Sequence, residues 1–187
     1  MSSLEVHLHS TPVIPPLGPP PEEENWYAIH TMPRHEKRIA GHLQGKRVCT
    51  FLPMLQQIHR WSDRRSKVEV PMFSCYVFVR MVETVEDRLI VLRTPGVFGF
   101  VGNERQGTPI PDEQIENLRT AIRGKIPCVV HPFVSAGKRV RILGGSLDGV
   151  EGILMGQGRE QSVVVSVEML RRSVSIRVEG YDIEAVN

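Results

Sequence analysis

Residues 70–81 read VPMFSCYVFVRM, and the second half of this stretch decides the fold. Alternation puts Tyr76, Phe78 and Arg80 on one face of a strand, with Phe73, Cys75, Val77 and Val79 on the other. Both faces carry large apolar groups. The strand is therefore expected at the centre of a sheet, with at least one face covered by helix.

Working outward toward the N-terminus, WYAIHT from Trp26 reads as a strand. RHEKRIAGHLQ then places Ile39 and Leu43 four apart on a helix, with Pro33 close to its start. VCTFLPMLQQIHRW is β-rich despite Pro53, and the polar cluster SDRRSK separates it from the strand run that follows, which predicts a long hairpin with a basic tip. Toward the C-terminus a short helix over Val85–Leu92 ends at the turn TPG, and VFGFVG follows as a strand. The clearest helix comes next. Pro111 fits its first position, Asp112 and Glu113 favour its positive end, Ile115, Leu118 and Ile122 form its stripe, and Gly124 stops it. Strands and helices thus make 25–123 one α+β unit.

The pattern then changes. GKIPCVVHPFV, residues 124–134, has two prolines and little periodicity and reads as a flexible linker. Within 135–187, KRVRIL, EGILMG, QSVVVSV, SVSIRV and YDIEAV are five short alternating segments between Gly-rich or charged turns. Five strands in so short a span predict a small β-barrel, because closure removes exposed edges.

The chain has 187 residues, 41% of them hydrophobic, enough for one ordinary core or two small ones. No run approaches the roughly 18 apolar residues of a membrane-spanning helix, so no membrane role is expected. The first ten residues lack the basic start and apolar stretch of a secretory signal, and Cys49, Cys75 and Cys128 are odd in number and widely spaced. A monomer in the reducing cytoplasm is expected, with each cysteine a small, half-buried apolar residue. Residues 1–24 hold six of the 14 prolines and end in three glutamates, the composition of a disordered tail.

The net charge of +2 conceals an uneven distribution. Nine bases between Arg34 and Lys67 face only Glu36 and Asp63, whereas seven bases meet seven acids from Ser135 onward. A local positive field of that kind attracts polyanions. Within it, Arg60, Arg64, Arg65 and Lys67 suit phosphates, and Trp61 suits stacking on an unpaired base or anchoring of the hairpin.

Signals for catalysis are scarce. The glycines between Gly144 and Gly158 form no phosphate-binding loop, Cys128 and His131 have no second ligand pair in metal spacing, and no Ser, His and Asp set sits on a recognisable elbow. A non-enzymatic protein without cofactor or metal is expected.

Taken in order, WYAIHT, PRHEKRIAGHL, FLP, WSDR, VPMFSCYVFV, TPGVFGFVG and PIPDEQIENL resemble the N-terminal domain of the NusG family of transcription elongation factors. VSAGKRVRILGGSLDGVEGIL is similar to the KOW motif that opens the family's C-terminal barrel. The resemblance implies an antiparallel sheet flanked by helices followed by a small SH3-like barrel. WSDR and the compact hairpin lean toward the specialised antiterminators of the RfaH or capsule-operon kind.

The resemblance also implies a mechanism. The N-terminal domain would bind the clamp helices of RNA polymerase through an apolar concavity, to which His30, Tyr76, Phe78 and Phe100 correspond, and would suppress pausing or termination. The basic hairpin would touch polymerase or the non-template DNA strand. The barrel would recruit a small-subunit ribosomal protein or Rho through the segment EMLRRS, with Met169 and Leu170 as exposed apolar contacts. Two departures stand out. Ser74-Cys75 replaces the family's Pro-Gly before the tyrosine, and Val70 replaces the glutamate that helps hold the two domains of RfaH-type proteins together, so autoinhibition is not expected from that position. The alternative function is a KOW-containing RNA-binding or ribosome-associated module that does not dock on polymerase.

Overall fold

A computed structural model of the protein describes residues 23–60, 65–102, 107–124, 128–132, 137–156, 162–178 and 180–186. The expected tail lies outside the described residues as far as residue 22, but its last predicted residue, Glu24, is already in a strand.

The first sheet is antiparallel, in the order β2 (Cys49–Phe51), β5 (Tyr76–Val82), β1 (Glu24–Thr31) and β6 (Val97–Phe100). As the two-sided apolar pattern demands, β5 is interior and both its faces are covered. On one face, Tyr27, Ile29, Val77, Val79 and Met81 pack with Ile39 and Leu43 of α1 (Glu36–Gly45) and Val91 of α2 (Val85–Leu92). On the other, Trp26, Ala28 and Phe78 pack with Ile115, Leu118 and Ala121 of α3 (Asp112–Arg123). Burial of each large aliphatic side chain is worth about 1.5–3 kcal/mol, and this two-sided burial sets the sheet's position.

Local chemistry explains the boundaries. The Thr84 side chain accepts the Asp87 N–H at 3.1 Å and caps α2, with Glu86 and Asp87 at its positive end. Pro111 is the residue before α3 rather than its first helical residue, and the predicted stripe of Ile115, Leu118 and half-buried Ile122 packs on the core with Ala121 beside it. Pro53 divides the β-rich run around it. Without an N–H to donate, it ends β2 at Phe51, and the chain resumes as β3 (Met54–Arg60) paired with β4 (Arg65–Pro71) in a separate hairpin. The Pro53 carbonyl still accepts the Met72 N–H at 2.8 Å, fixing the hairpin's base.

The five predicted C-terminal strands are all present: β8 (Arg139–Leu143), β9 (Glu151–Met155), β10 (Ser162–Val167), β11 (Arg172–Arg177) and β12 (Asp182–Ala185). A sixth joins them. Residues Cys128–Pro132, read from sequence as flexible linker, form β7 and pair antiparallel with β11, giving the sheet order β12-β8-β9-β10-β11-β7. The two prolines mark the ends of this strand and hide the β-branched pair Val129-Val130 between them.

The two sheets are also joined through α3. The Asn117 side-chain oxygen accepts the Glu151 N–H at 3.2 Å, the Gln114 oxygen accepts the Glu168 N–H at 3.2 Å, and Gly124 lies so close to Ser146 that a Cβ there would be 3.1 Å from its hydroxyl. Val70 therefore does not decide whether the two halves touch, because this contact runs through α3. Among the described residues no helix is long and apolar enough to cross a membrane.

Candidate partner-binding surface

The exposed aromatic surface of the first sheet is built at the far end of β1. His30 pairs with Tyr76 on one side and Gly99 on the other. Its ring centroid lies 5.5 Å from that of Tyr76 and 5.3 Å from that of Phe98. His30 is exposed, Tyr76 half-buried and Phe98 64% exposed. A cluster of this kind, open to solvent, is the usual mark of a partner surface.

Phe98 was not among the residues singled out by sequence, and the reason is a register shift. Strict alternation would put Phe98 and Phe100 on one face, but the pairing of β1 with β6 is irregular between His30 and Thr31. Such an irregularity re-aims side chains. As a result Val97 and Phe100 both pack on the helix-covered core while Phe98 stands beside His30. Gly99 within the strand was the available signal.

Two predicted members of the patch are placed elsewhere. Phe78 shares the Tyr76 face, as alternation requires, but it is 0% exposed, with Phe51 at 5.9 Å and Phe73 edge-on at 6.1 Å. Because α3 and the base of the hairpin close over that part of the sheet, Phe78 is core. Phe100 is half-buried on the opposite face, edge-on to Tyr27 at 5.9 Å, with the Arg88 guanidinium 4.8 Å from its ring centre. Burial next to Glu83 pushes the Tyr27 hydroxyl pKa up, desolvation being the larger cause.

The turn leading into Tyr76 is held by an unusual pair of features. Cys75 has φ of +70°, the left-handed conformation that favours glycine, and its N–H donates to the Glu36 carboxylate at 2.8 Å. Its carbonyl in turn accepts the Thr31 N–H at 2.8 Å. Departure from Pro-Gly therefore leaves a glycine-like backbone at this position, and Tyr76 still reaches His30.

In the hairpin, Arg60 pairs directly with Arg65, and Ile58 with Lys67, so register positions 60, 65 and 67 fall on one face. Trp61 and Arg64 lie outside the described residues. At the base, Lys37 of α1 pairs with Glu69 at 3.2 Å, both exposed.

In the C-terminal half, the predicted contact segment contains a short 3-10 turn, Glu168–Leu170, which includes Met169. Leu170 is only 6% exposed and belongs to the apolar core, which corrects its reading as an exposed contact. The cysteines also differ from expectation at one place: Cys49 is exposed, while Cys75 and Cys128 are partly buried, and burial pushes the Cys128 thiol pKa up.

Comparison with known proteins agrees with this architecture. The family described as transcription termination factor nusG matches residues 24–119. The transcription termination/antitermination protein NusG of Lactococcus lactis is 25% identical over 185 residues, covering 88% of this chain and 94% of that protein. Its counterpart in Staphylococcus carnosus is 29% identical over 177 residues, covering 86% and 95%. Among solved structures, that titled "Domain interaction in Thermotoga maritima NusG" aligns with a TM-score of 0.53 at 22% identity, over 88% of this chain and 98% of that one, a likeness of fold. With more than half the chain matched by the family and the sheets and helices in the expected order, this protein belongs to the NusG family of transcription termination/antitermination factors.

Proposed function

We propose that the protein docks on RNA polymerase through the ring cluster His30, Tyr76 and Phe98 and thereby suppresses pausing or termination. The observation that carries this reading is the solvent-open convergence of three aromatic rings on a rigid sheet, in a chain of a transcription-factor family. Rings need little ordering to bind, and a partner presenting the apolar face of paired helices, as the polymerase clamp does in the family resemblance, would cover them. Phe78 and Phe100 belong to the cores on the two faces of the sheet that carries the cluster. The protein is a binding factor with no catalytic step of its own.

The hairpin offers a second surface. Arg60 and Arg65 pair in the backbone register of the hairpin, within a stretch whose concentrated positive charge attracts anions. Together with Arg64, Lys67 and a stacking Trp61, they suit the non-template DNA strand or an acidic polymerase surface. The C-terminal sheet, in the role of the family's KOW barrel, recruits a second protein, a small-subunit ribosomal protein or Rho, through 168–173. The operon-specific reading rests on WSDR at 61–64, outside the described residues, whereas the matched relatives bear the name NusG.

A transcription assay on a template with a defined pause tests the proposal. Wild-type protein is expected to shorten the pause severalfold, and Tyr76→Ala and Phe98→Ala to lose most of that effect. A pause unchanged by wild-type protein would contradict the reading.

A further inference from the structure

The C-terminal sheet is completed by a strand that does not look like part of it. β7 is five residues long, reads as linker, and is bonded to the sheet along one side only, with register Pro132 to Arg172, His131 to Ser173, Val130 to Val174, Val129 to Ser175 and Cys128 to Ile176. Removing it would leave β11 as a bare edge, with Val174 and Ile176, both 0% exposed, beside it. A row of unpaired N–H and C=O groups is a template for any extended segment.

That edge begins inside the segment assigned above to partner recruitment, and the rest of the segment is also taken. Glu168 gives its N–H to Gln114 of α3, and Leu170 is buried. The recruiting segment is thus satisfied by the chain itself. One thing is left over. Arg172 and Arg177 flank the edge, both are exposed, and among the described residues neither has an ion-pair partner, while β7 brings no carboxylate.

We infer that β11 is a strand-accepting site held in this state by the chain's own Cys128–Pro132, and that recruitment proceeds by exchange of β7 for an extended, β-branched partner segment flanked by carboxylates. The inference rests on the proposed role of 168–173. It gives that role a gate. The partner gains only the difference between its own strand and β7, so weak strands fail to displace it.

The test uses full-length protein with its three cysteines changed to serine. In a locked form, V129C/S175C, the directly opposed positions lie within disulfide reach once oxidised. In a released form, Val129→Pro and Val130→Pro together remove the donor to β11, because consecutive amides point to opposite sides. The probes are fluorescent peptides of sequence IPSVVHPF, one with Glu and one with Lys added at both ends. The Glu-flanked peptide is expected to bind the released form at least tenfold tighter than the oxidised locked form, and at least threefold tighter than the Lys-flanked peptide. Equal peptide binding to locked and released forms, or binding to neither, overturns the inference. Purified small ribosomal subunits and Rho are then offered to both forms. If the peptide discriminates but neither particle binds, the strand-accepting site stands and the recruitment reading fails.

Discussion

The Glu36 carboxylate, at the first turn of α1 and only 3% exposed, accepts the backbone N–H of Cys75 at 2.8 Å. One hydrogen bond therefore ties the helix that covers one face of the sheet to the turn that delivers Tyr76 to the other. Glu36→Ala removes the acceptor of the partly buried Cys75 N–H, which costs about 1 kcal/mol. Denaturant unfolding should show that loss, with Glu36→Gln, which keeps an acceptor, losing less. Equal stability of Glu36→Ala and wild type would show that the bond is dispensable.

At Cys75 itself the expected change is a gain. A left-handed conformation costs a non-glycine residue about 1–2 kcal/mol, and glycine gives back about 0.5–1 kcal/mol in chain entropy. Cys75→Gly is accordingly predicted to raise stability by up to about 1 kcal/mol, read as a rise in the denaturation midpoint at constant slope, while polymerase binding is unchanged.

The aromatic residues should separate into two groups. Phe78→Ala removes a fully buried ring and is expected to destabilise by about 3–5 kcal/mol. Phe100→Ala loses its contacts with Tyr27 and Arg88 and should also lower stability. Phe98→Ala, 64% exposed, should fall within about 0.5 kcal/mol of wild type. Thermal unfolding of the three variants checks the division.

The hairpin charges make a prediction about salt. If 60, 65 and 67 meet phosphates, each Arg or Lys changed to Ala should lower the slope of log affinity for single-stranded DNA against log salt by about 0.7. An unchanged slope would assign the basic face to protein instead. Tight, strongly salt-dependent RNA binding in a protein that ignores polymerase would favour the RNA-binding alternative.

Much of the fold was legible because the signals were local. The stripe of α3, the TPG turn that ends α2, and the two-sided apolar pattern of β5 each fix an element from within a few residues. Alternation alone put Tyr76 on the face where the structure places it, whereas His30, which the structure brings beside it, was named only through the family resemblance. What escaped depends on distant chain. Gly99 marks an irregular point in VFGFV, but the direction of the register shift that turns Phe98 outward arises from pairing with β1. The prolines around Val129 and Val130 conceal a strand that exists only because β11 is there to pair with it. Leu170 sits in a polar, turn-like sequence, and its burial belongs to the packing of the C-terminal core beside α3. Phe78 lies on the predicted face but under α3, a matter of which part of a face a helix covers.

The most direct test is equilibrium binding of the protein to its cognate core RNA polymerase, comparing wild type with Tyr76→Ala and Phe98→Ala after unfolding curves have shown each variant to be folded. The account predicts saturable binding by wild type and a loss of about 1–2 kcal/mol for either substitution, roughly 5- to 30-fold in Kd. Wild-type affinity in both variants, or no binding by wild type, would contradict it.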